Sequence, residues 1–354
     1  MVQGFGLIAF GFASLSFAVS AMGVRASIRI AQRYGMMDVP NERSSHTLPT
    51  PRMGGIAMVA SATLALGGWA LLAGGGPLGK GLWSTFLFAL SMFVLGVVDD
   101  LRNLSPQFRF LVQLVFASMS LWSLTPLFPA VPLGGWVLHG PVWIPVGGFF
   151  AIWMLNLYNF MDGIDGLAGG EAVVASSFFF LVFAYFGEPG WAAVNLFVAT
   201  ASAGFLVHNW PPAKIFMGDG GSSFLGAFYG MQSVMAHLTT PVPFPVLLLP
   251  FANFILDTTF ILFWRVLRGD KWYQAHRSHF YQRMADLGMT HRKVTSIELC
   301  VVAASCAAAA GCIGTSVFAR IFLVAIVIAG ISGIGYWVRR KELLMQSGQD
   351  RHIV

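Results

Sequence analysis

The sequence predicts an all-α integral membrane protein of about eleven transmembrane helices, N-terminus out, C-terminus in, with an active site at the cytoplasmic face. Three observations predict this. Hydrophobic residues make up 56% of the 354-residue chain and charged residues only 10%, whereas an ordinary soluble domain is about a quarter charged. The mean hydropathy is +0.71, and apolar runs near the ~20 residues needed to cross a bilayer core recur from end to end. Basic residues collect after alternate runs, which is the pattern that sets orientation in a membrane.

The expected spans are roughly 3–24, 54–75, 82–98, 109–128, 142–159, 171–187, 190–208, 221–238, 243–265, 296–314 and 317–338. The first has no small-residue cleavage site and is followed by further spans, so it reads as a retained helix. After it come Arg25, Arg29, Arg33, Arg43 and Arg52. Arg102 and Arg109 follow the third span and Lys214 the seventh. Arg265, Arg268, Lys271, Arg277, Arg283, Arg292 and Lys293 follow the ninth, and Arg339, Arg340, Lys341 and Arg351 close the chain. The other side offers only Lys80 and Arg320. The positive-inside rule therefore places the ends of the odd spans in the cytoplasm. The chain reads as one membrane domain, 1–354, with a basic cytoplasmic loop at 266–295 between the ninth and tenth spans. Cys300, Cys306 and Cys312 lie six apart in one apolar stretch, a spacing that fits packed thiols rather than a metal pair or a disulfide framework. The basic loops read as topology signals, and no nucleic-acid partner is expected.

The polar clusters at 38–55, 99–103, 156–171, 208–223 and 265–293 fall on that same cytoplasmic side. A transporter spreads functional polarity through the membrane and about its midplane. Concentration at one interface instead favours an enzyme that takes a soluble substrate from the cytoplasm.

The most specific cluster runs from Asn156 to Leu167, Asn-Leu-Tyr-Asn-Phe-Met-Asp-Gly-Ile-Asp-Gly-Leu. Asn156, Asn159, Asp162 and Asp165 recur every third residue, so a helical turn would gather them on one face. Acidic groups at a membrane edge are costly unless they bind a cation or line a wet cavity. Asp99 and Asp100, at the end of the third span, repel each other unless a cation joins them, and oxygen ligands suit hard cations. A plain helix end would be the blander reading, but an acidic pair there opposes the macrodipole. Lys214 to Ser223 forms a glycine-rich loop ahead of an apolar helix, able to offer N–H groups to phosphate. Asp219 would bind metal beside it, with Ser222 or Ser223 as a helix cap. His276, Arg277 and His279 in the basic loop can grip a diphosphate, against a background of residues that meet lipid headgroups. His46 and Arg52 lie in a proline-rich loop from which they could reach a phosphate. Asp257, inside the ninth span, is either functional or a structural partner of Arg265 or an Asn. His139, His208 and His237 read as interfacial packing.

Together these clusters resemble the polyprenyl-phosphate N-acetylhexosamine-1-phosphate transferase family, in order and over most of the chain. Asp99-Asp100 looks like its paired-Asp motif, Asn156–Leu167 like its Asn-x-x-Asn-x-x-Asp-Gly-x-Asp-Gly-Leu motif, and Phe216–Asp219 with Gly221-Ser222 like its magnesium loop. His276-Arg277-Ser278-His279, without three consecutive histidines, together with Arg43–His46 and Pro49–Arg52, looks like the O-antigen branch rather than the phospho-N-acetylmuramoyl-pentapeptide transferases. The resemblance implies a bacterial inner-membrane enzyme. It would pass N-acetylhexosamine 1-phosphate from a UDP-sugar to undecaprenyl phosphate and release UMP, with Mg2+ or alternatively Mn2+. It implies Asp219 and Asn159 as metal ligands and catalytic roles for Asp99, Asp100, Asp162 and Asp165. Asn156, Asn159, Asn209, Phe216, His276, Arg277, His279, His46 and Arg52 would bind substrate, and homodimers occur in the family. The rival from another class is a cation-coupled transporter or lipid flippase, for which charged residues at mid-span on several helices would be the mark.

Overall fold

The computed structural model of the protein describes residues 2–40, 48–72, 79–133, 135–270 and 277–347. Helix α1 (Val2–Tyr34) leads through the two-residue strands β1 (Met37–Asp38) and β2 (Thr50–Pro51) to α2 (Gly55–Leu72) and α3 (Lys80–Arg102). Then come α4 (Pro106–Leu124), strands β3 (Ala130–Leu133) and β4 (Trp136–His139), and α5 (Trp143–Met161). They are followed by α6 (Leu167–Tyr185), α7 (Pro189–Asn209), α8 (Gly218–Thr239), the short α9 (Phe244–Leu247) and α10 (Ala252–Leu267). The chain closes with α11 (Phe280–Asp286), α12 (His291–Cys312) and α13 (Val317–Gln346). The two sheets are antiparallel hairpins, β1 with β2 (Met37 opposite Pro51) and β3 with β4 (Ala130 opposite His139). The second hairpin lies between the fourth and fifth expected spans.

Nine helices among the described residues are long and apolar enough to cross a membrane. The expected fourth and eighth spans are helices too, α4 and α8, but they do not meet that standard. α4 carries Gln107, Arg109 and Gln113, and α8 opens on Asp219 among glycines and serines. Both helices thus spend apolar length on polar groups. The expected ninth span is broken. Pro243, Pro245 and Pro250 interrupt it, giving α9, a 3-10 turn at Leu249–Phe251, and α10. Nor is the stretch 266–295 a loop throughout, since α11 and the first turn of α12 are formed from it.

Local signals set the boundaries. Ser105 caps α4, its side chain accepting the Phe108 N–H, with Pro106 in the first turn. Thr290 caps α12 through the Lys293 N–H, and His279 and Gln282 form a capping box on α11. Helices α6, α7 and α8 are the most enclosed, while α13 buries only Ile331, Gly335 and Val338 along its length. Helix α8 is the hub, packed against α3 and α5. At Gly96 the crossing of α3 and α8 is so close that a Cβ would run into the backbone of Asp219 and Gly220. Because the helices alternate in direction, the ends of α3, α5, α7 and α10 meet the starts of α4, α6, α8 and α12 at one end of the bundle.

Candidate active site

The close approach at Gly96 sets the carboxylates of α3 beside the first turn of α8. Asp99 and Asp100 are both buried. Asp99 Oδ1 accepts the Leu104 N–H at 2.7 Å and Oδ2 takes the Arg109 guanidinium. The reversal that returns Arg109 is made by Asn103, in the left-handed conformation at φ 50°, and the capped start of α4. Asp100 Oδ2 lies 3.4 Å from the Gly220 N–H. The positive end of the α8 dipole therefore faces this carboxylate. Its backbone carbonyl accepts from Arg52 Nη2 at 2.6 Å. Arg52 is brought there by backbone pairing of its loop with the start of α8: Phe216 N–H to Pro51 O at 2.8 Å, and Gly54 N–H to Phe216 O at 2.9 Å.

Asp219 sits in the first turn of α8. The Asn159 amide donates to Asp219 Oδ1 at 3.1 Å and to Ser222 Oγ at 2.9 Å, and Arg109 Nη1 is 4.0 Å from Asp219 Oδ2. Between Asp99, Arg109, Gln113, Asn156, Asn159 and Asp219 lies a cavity of about 20 Å³, room for one water-sized particle. Among the described residues no three carboxylate, thiolate or imidazole groups form a cation cage. That donor set fits magnesium, which keeps several waters and is bound by one or two carboxylates plus substrate phosphates. Asn159 gives its N–H groups to Asp219 and Ser222, so as placed it supports that carboxylate rather than offering its carbonyl oxygen. Ser222 does not cap α8; its hydroxyl bonds back to the Gly218 carbonyl at 3.3 Å.

The four residues at three-residue spacing do not share a face, because α5 stops at Met161 and only Asn156 and Asn159 are helical. Asn156 donates to Gln113 Oε1 at 3.0 Å and to the Ile152 carbonyl at 2.8 Å. Asp162, past the helix end, turns toward the acidic cluster. Its desolvated surroundings push its carboxyl well above the usual carboxylate range, and the negative fields of Asp219 and Asp100 add to this. Asp165 turns away from the cluster. Its Oδ2 accepts the Ala213 N–H at 3.0 Å and its Oδ1 lies 3.3 Å from His291 Nδ1. Burial alone would raise its carboxyl, but the His291 and Ala213 hydrogen bonds outweigh it and hold the group below the usual range. Its backbone carbonyl accepts Thr295 Oγ1 at 2.7 Å. Asp165 thus ties the 162–166 loop to α12 and to the 210–214 segment. Asp165→Ala is expected to lower stability by about 1.5–3 kcal/mol, the cost of unmeeting charge-assisted hydrogen bonds, as read by thermal unfolding in detergent.

Asn209 is committed to backbone at both ends, accepting from Gly166 N–H at 2.9 Å and donating to the Ile215 carbonyl at 2.8 Å. It holds the 162–166 and 210–217 loops together. Phe216 keeps a partly exposed ring beside the site. Asp257 pairs with neither Arg265 nor an Asn. Its Oδ1 lies 3.2 Å from His279 Nδ1 and its Oδ2 accepts the Phe280 N–H at 2.9 Å. His279 is buried, stacked between Phe160 and Tyr281. The Tyr281 hydroxyl donates to the Phe160 carbonyl at 3.0 Å, which fastens α11 to the end of α5. Arg277 meets Asp286 at 2.7 Å. His46 and His276 lie outside the described residues. Arg109, Gln113, Tyr281 and His291 were missed as site residues. Arg109 and Gln113 carried a usable signal: they lie four apart on α4, just after a Ser-Pro turn that folds α4 back onto Asp99.

Acidic, amide and cationic side chains thus converge on a water-sized space at one end of a membrane bundle. Residues 82–237 match the family described as glycosyl transferase family 4. The chain is 31% identical over 277 residues to a Bacillus subtilis protein named "Probable undecaprenyl-phosphate N-acetylglucosaminyl 1-phosphate transferase", covering 75% of this chain and 74% of that one. It is 28% identical over 353 residues to the "Decaprenyl-phosphate N-acetylglucosaminephosphotransferase" of Mycobacterium tuberculosis, covering 88% and 85%. It is 30% identical over 208 residues to a Thermotoga maritima "Undecaprenyl-phosphate alpha-N-acetylglucosaminyl 1-phosphate transferase", covering 58% of each. The chain belongs to the polyprenyl-phosphate hexosamine-1-phosphate transferase family, a family of multi-pass membrane phosphotransferases, and the transporter reading is set aside.

Proposed function

We propose that this protein transfers N-acetylhexosamine 1-phosphate from a UDP-sugar to undecaprenyl phosphate at the cytoplasmic face of a bacterial inner membrane. The observation that carries the reading is the convergence of Asp99, Asp100, Asn159 and Asp219 with Arg52 and Arg109 at one end of the bundle. A lipid-phosphate oxygen attacks the sugar-linked phosphorus; a new P–O bond forms as the bond to UMP breaks, and UMP leaves with the electron pair. One diphosphate replaces another, so the equilibrium lies near unity. The lipid phosphate has a second pKa of about 6, so Asp100 has only to orient it or take its last proton. Arg52 and Arg109 offset the charge of the gathered phosphates, the main form of catalysis in phosphoryl transfer. Asp162, turned toward the acidic cluster from past the end of α5, reads the nucleotide or supports the metal shell. Mg2+ held by Asp219, with Asn159 supporting that carboxylate, would neutralise the diphosphate. Phe216 offers its ring to the uracil by stacking. The Arg277-Ser278-His279 and Pro49–Arg52 segments support the O-antigen branch of the family.

The test is UMP release by the purified protein in detergent across a panel of UDP-N-acetylhexosamines, with and without undecaprenyl phosphate and Mg2+. Release that needs both lipid and metal is the expected result, and the best donor names the sugar. Release without lipid, or none with any donor from folded protein, would overturn the proposal.

A further inference from the structure

Behind the active site, away from Asp99 and Asp219, α6, α10 and α12 enclose a second acidic group. Glu171 of α6 is completely buried, and no group among the described residues donates to either of its carboxyl oxygens. Glu298 of α12 is buried as well, and the two helices meet beside this pair, the Leu299 side chain lying on Gly170. Glu298 accepts from the Asn253 amide of α10 at 3.2 Å, while the Asn253 carbonyl oxygen meets no donor. The two tyrosine hydroxyls nearby are spent on α6 itself. The Tyr229 hydroxyl binds the Ala172 carbonyl at 3.0 Å and Ser176 Oγ at 2.7 Å, and the Tyr158 hydroxyl binds the Ala168 carbonyl at 2.7 Å. The site is therefore rich in oxygen acceptors and short of donors. It also lies against the break between α9 and α10, whose 3-10 turn packs on both α6 and α12.

Leaving a buried charge or polar group unmet is costly, so such groups are paired, take up a proton or bind an ion. Carboxylate and amide oxygens beside an unwound stretch of a membrane helix make the kind of setting in which transport proteins hold Na+. We propose that Glu171, Glu298 and the Asn253 carbonyl oxygen form a buried Na+ site that locks α6 to α10 and α12. The ion would act through the fold. α6 begins directly after the Asp162–Asp165 loop, and α12 supplies His291 and Thr295 to that loop, so a cation joining the two helices steadies the loop without touching substrate. Neither the acceptor nor the donor sugar enters this inference, and it stands apart from the proposed reaction.

The full-length protein in detergent is unfolded thermally in NaCl against choline chloride at equal ionic strength and fixed pH. Retention of radioactive 22Na+ by the same preparation is measured by equilibrium binding. The expected result is saturable retention of one Na+ per chain. The melting temperature should rise by roughly 3–6 °C at about a hundred times the Kd. Glu171→Gln and Asn253→Ala should abolish both signals. If Glu171→Gln does not fold, Glu298→Gln takes its place, and the wild-type binding measurement stands by itself. No saturable 22Na+ retention would overturn the proposal. So would a full sodium response in Glu171→Gln, or a melting temperature that follows pH but ignores Na+, the mark of a proton shared between the two carboxyls.

Discussion

Asp219→Ala is expected to abolish Mg2+-dependent UMP release, a loss of about a thousandfold or more, while the protein remains folded. The side chain of Asp219 is 41% exposed, so its removal opens no hole in the packed interior. Its partners are Asn159 and the Arg109 guanidinium. Deleting it removes one of the two carboxylates lining the water-sized space and leaves Arg109 to Asp99 alone. A metal titration separates the outcomes: if Asp219 holds the ion, raising Mg2+ partly restores the variant. Full activity with an unchanged metal response would defeat the assignment.

Gly96→Ala is expected to be nearly as damaging, although Gly96 contacts no substrate. The added methyl would meet the carbonyl of Asp219 and the Cα of Gly220, both backbone, so no side chain can swing aside. α8 must move off α3, carrying Asp219 with it and stretching the Gly220 N–H from Asp100. Overpacking of this kind costs about 1–3 kcal/mol of stability, and misplacing a catalytic group by about an ångström can cost a hundredfold in rate. The expected result is a melting temperature a few degrees lower with turnover down about a hundredfold. Glycine at 67, in the middle of α2, has nothing within 4 Å of where its Cβ would lie. Gly67→Ala should leave turnover intact, and equal losses in the two variants would overturn the argument from the α3–α8 crossing.

Much of the fold was legible because a bilayer forces it to be. Long apolar runs have one physical solution, and all eleven expected spans correspond to helical segments. The difficulties arose where helices carry the chemistry. α4 and α8 are diluted by Arg109, Gln113, Asp219 and the glycines that the site needs, and prolines break the ninth segment into two helices. The motifs around Asp99, Asn159 and Asp219 stood out because such residues are expensive at a membrane edge. What periodicity could not convey was where α5 would stop. Helical spacing put Asp162 and Asp165 on one face with Asn156, but an Asp-Gly step ended the helix after Met161 and turned the two carboxylates in opposite directions. The pairing of Asp257 with His279 was illegible for another reason. It joins residues 22 apart across the end of a helix, and nothing in local composition specifies that contact.

The division of the site among α3, α5 and α8 also bears on how the enzyme is made. Asp99 and Asp100 leave the ribosome early, Asn159 some sixty residues later, and Asp219 sixty residues after that. The proposed site therefore remains incomplete until the eighth helix has been made and packs against the third. A chain whose synthesis stopped before that point would carry Asp99 and Asp100 without the helix that faces them.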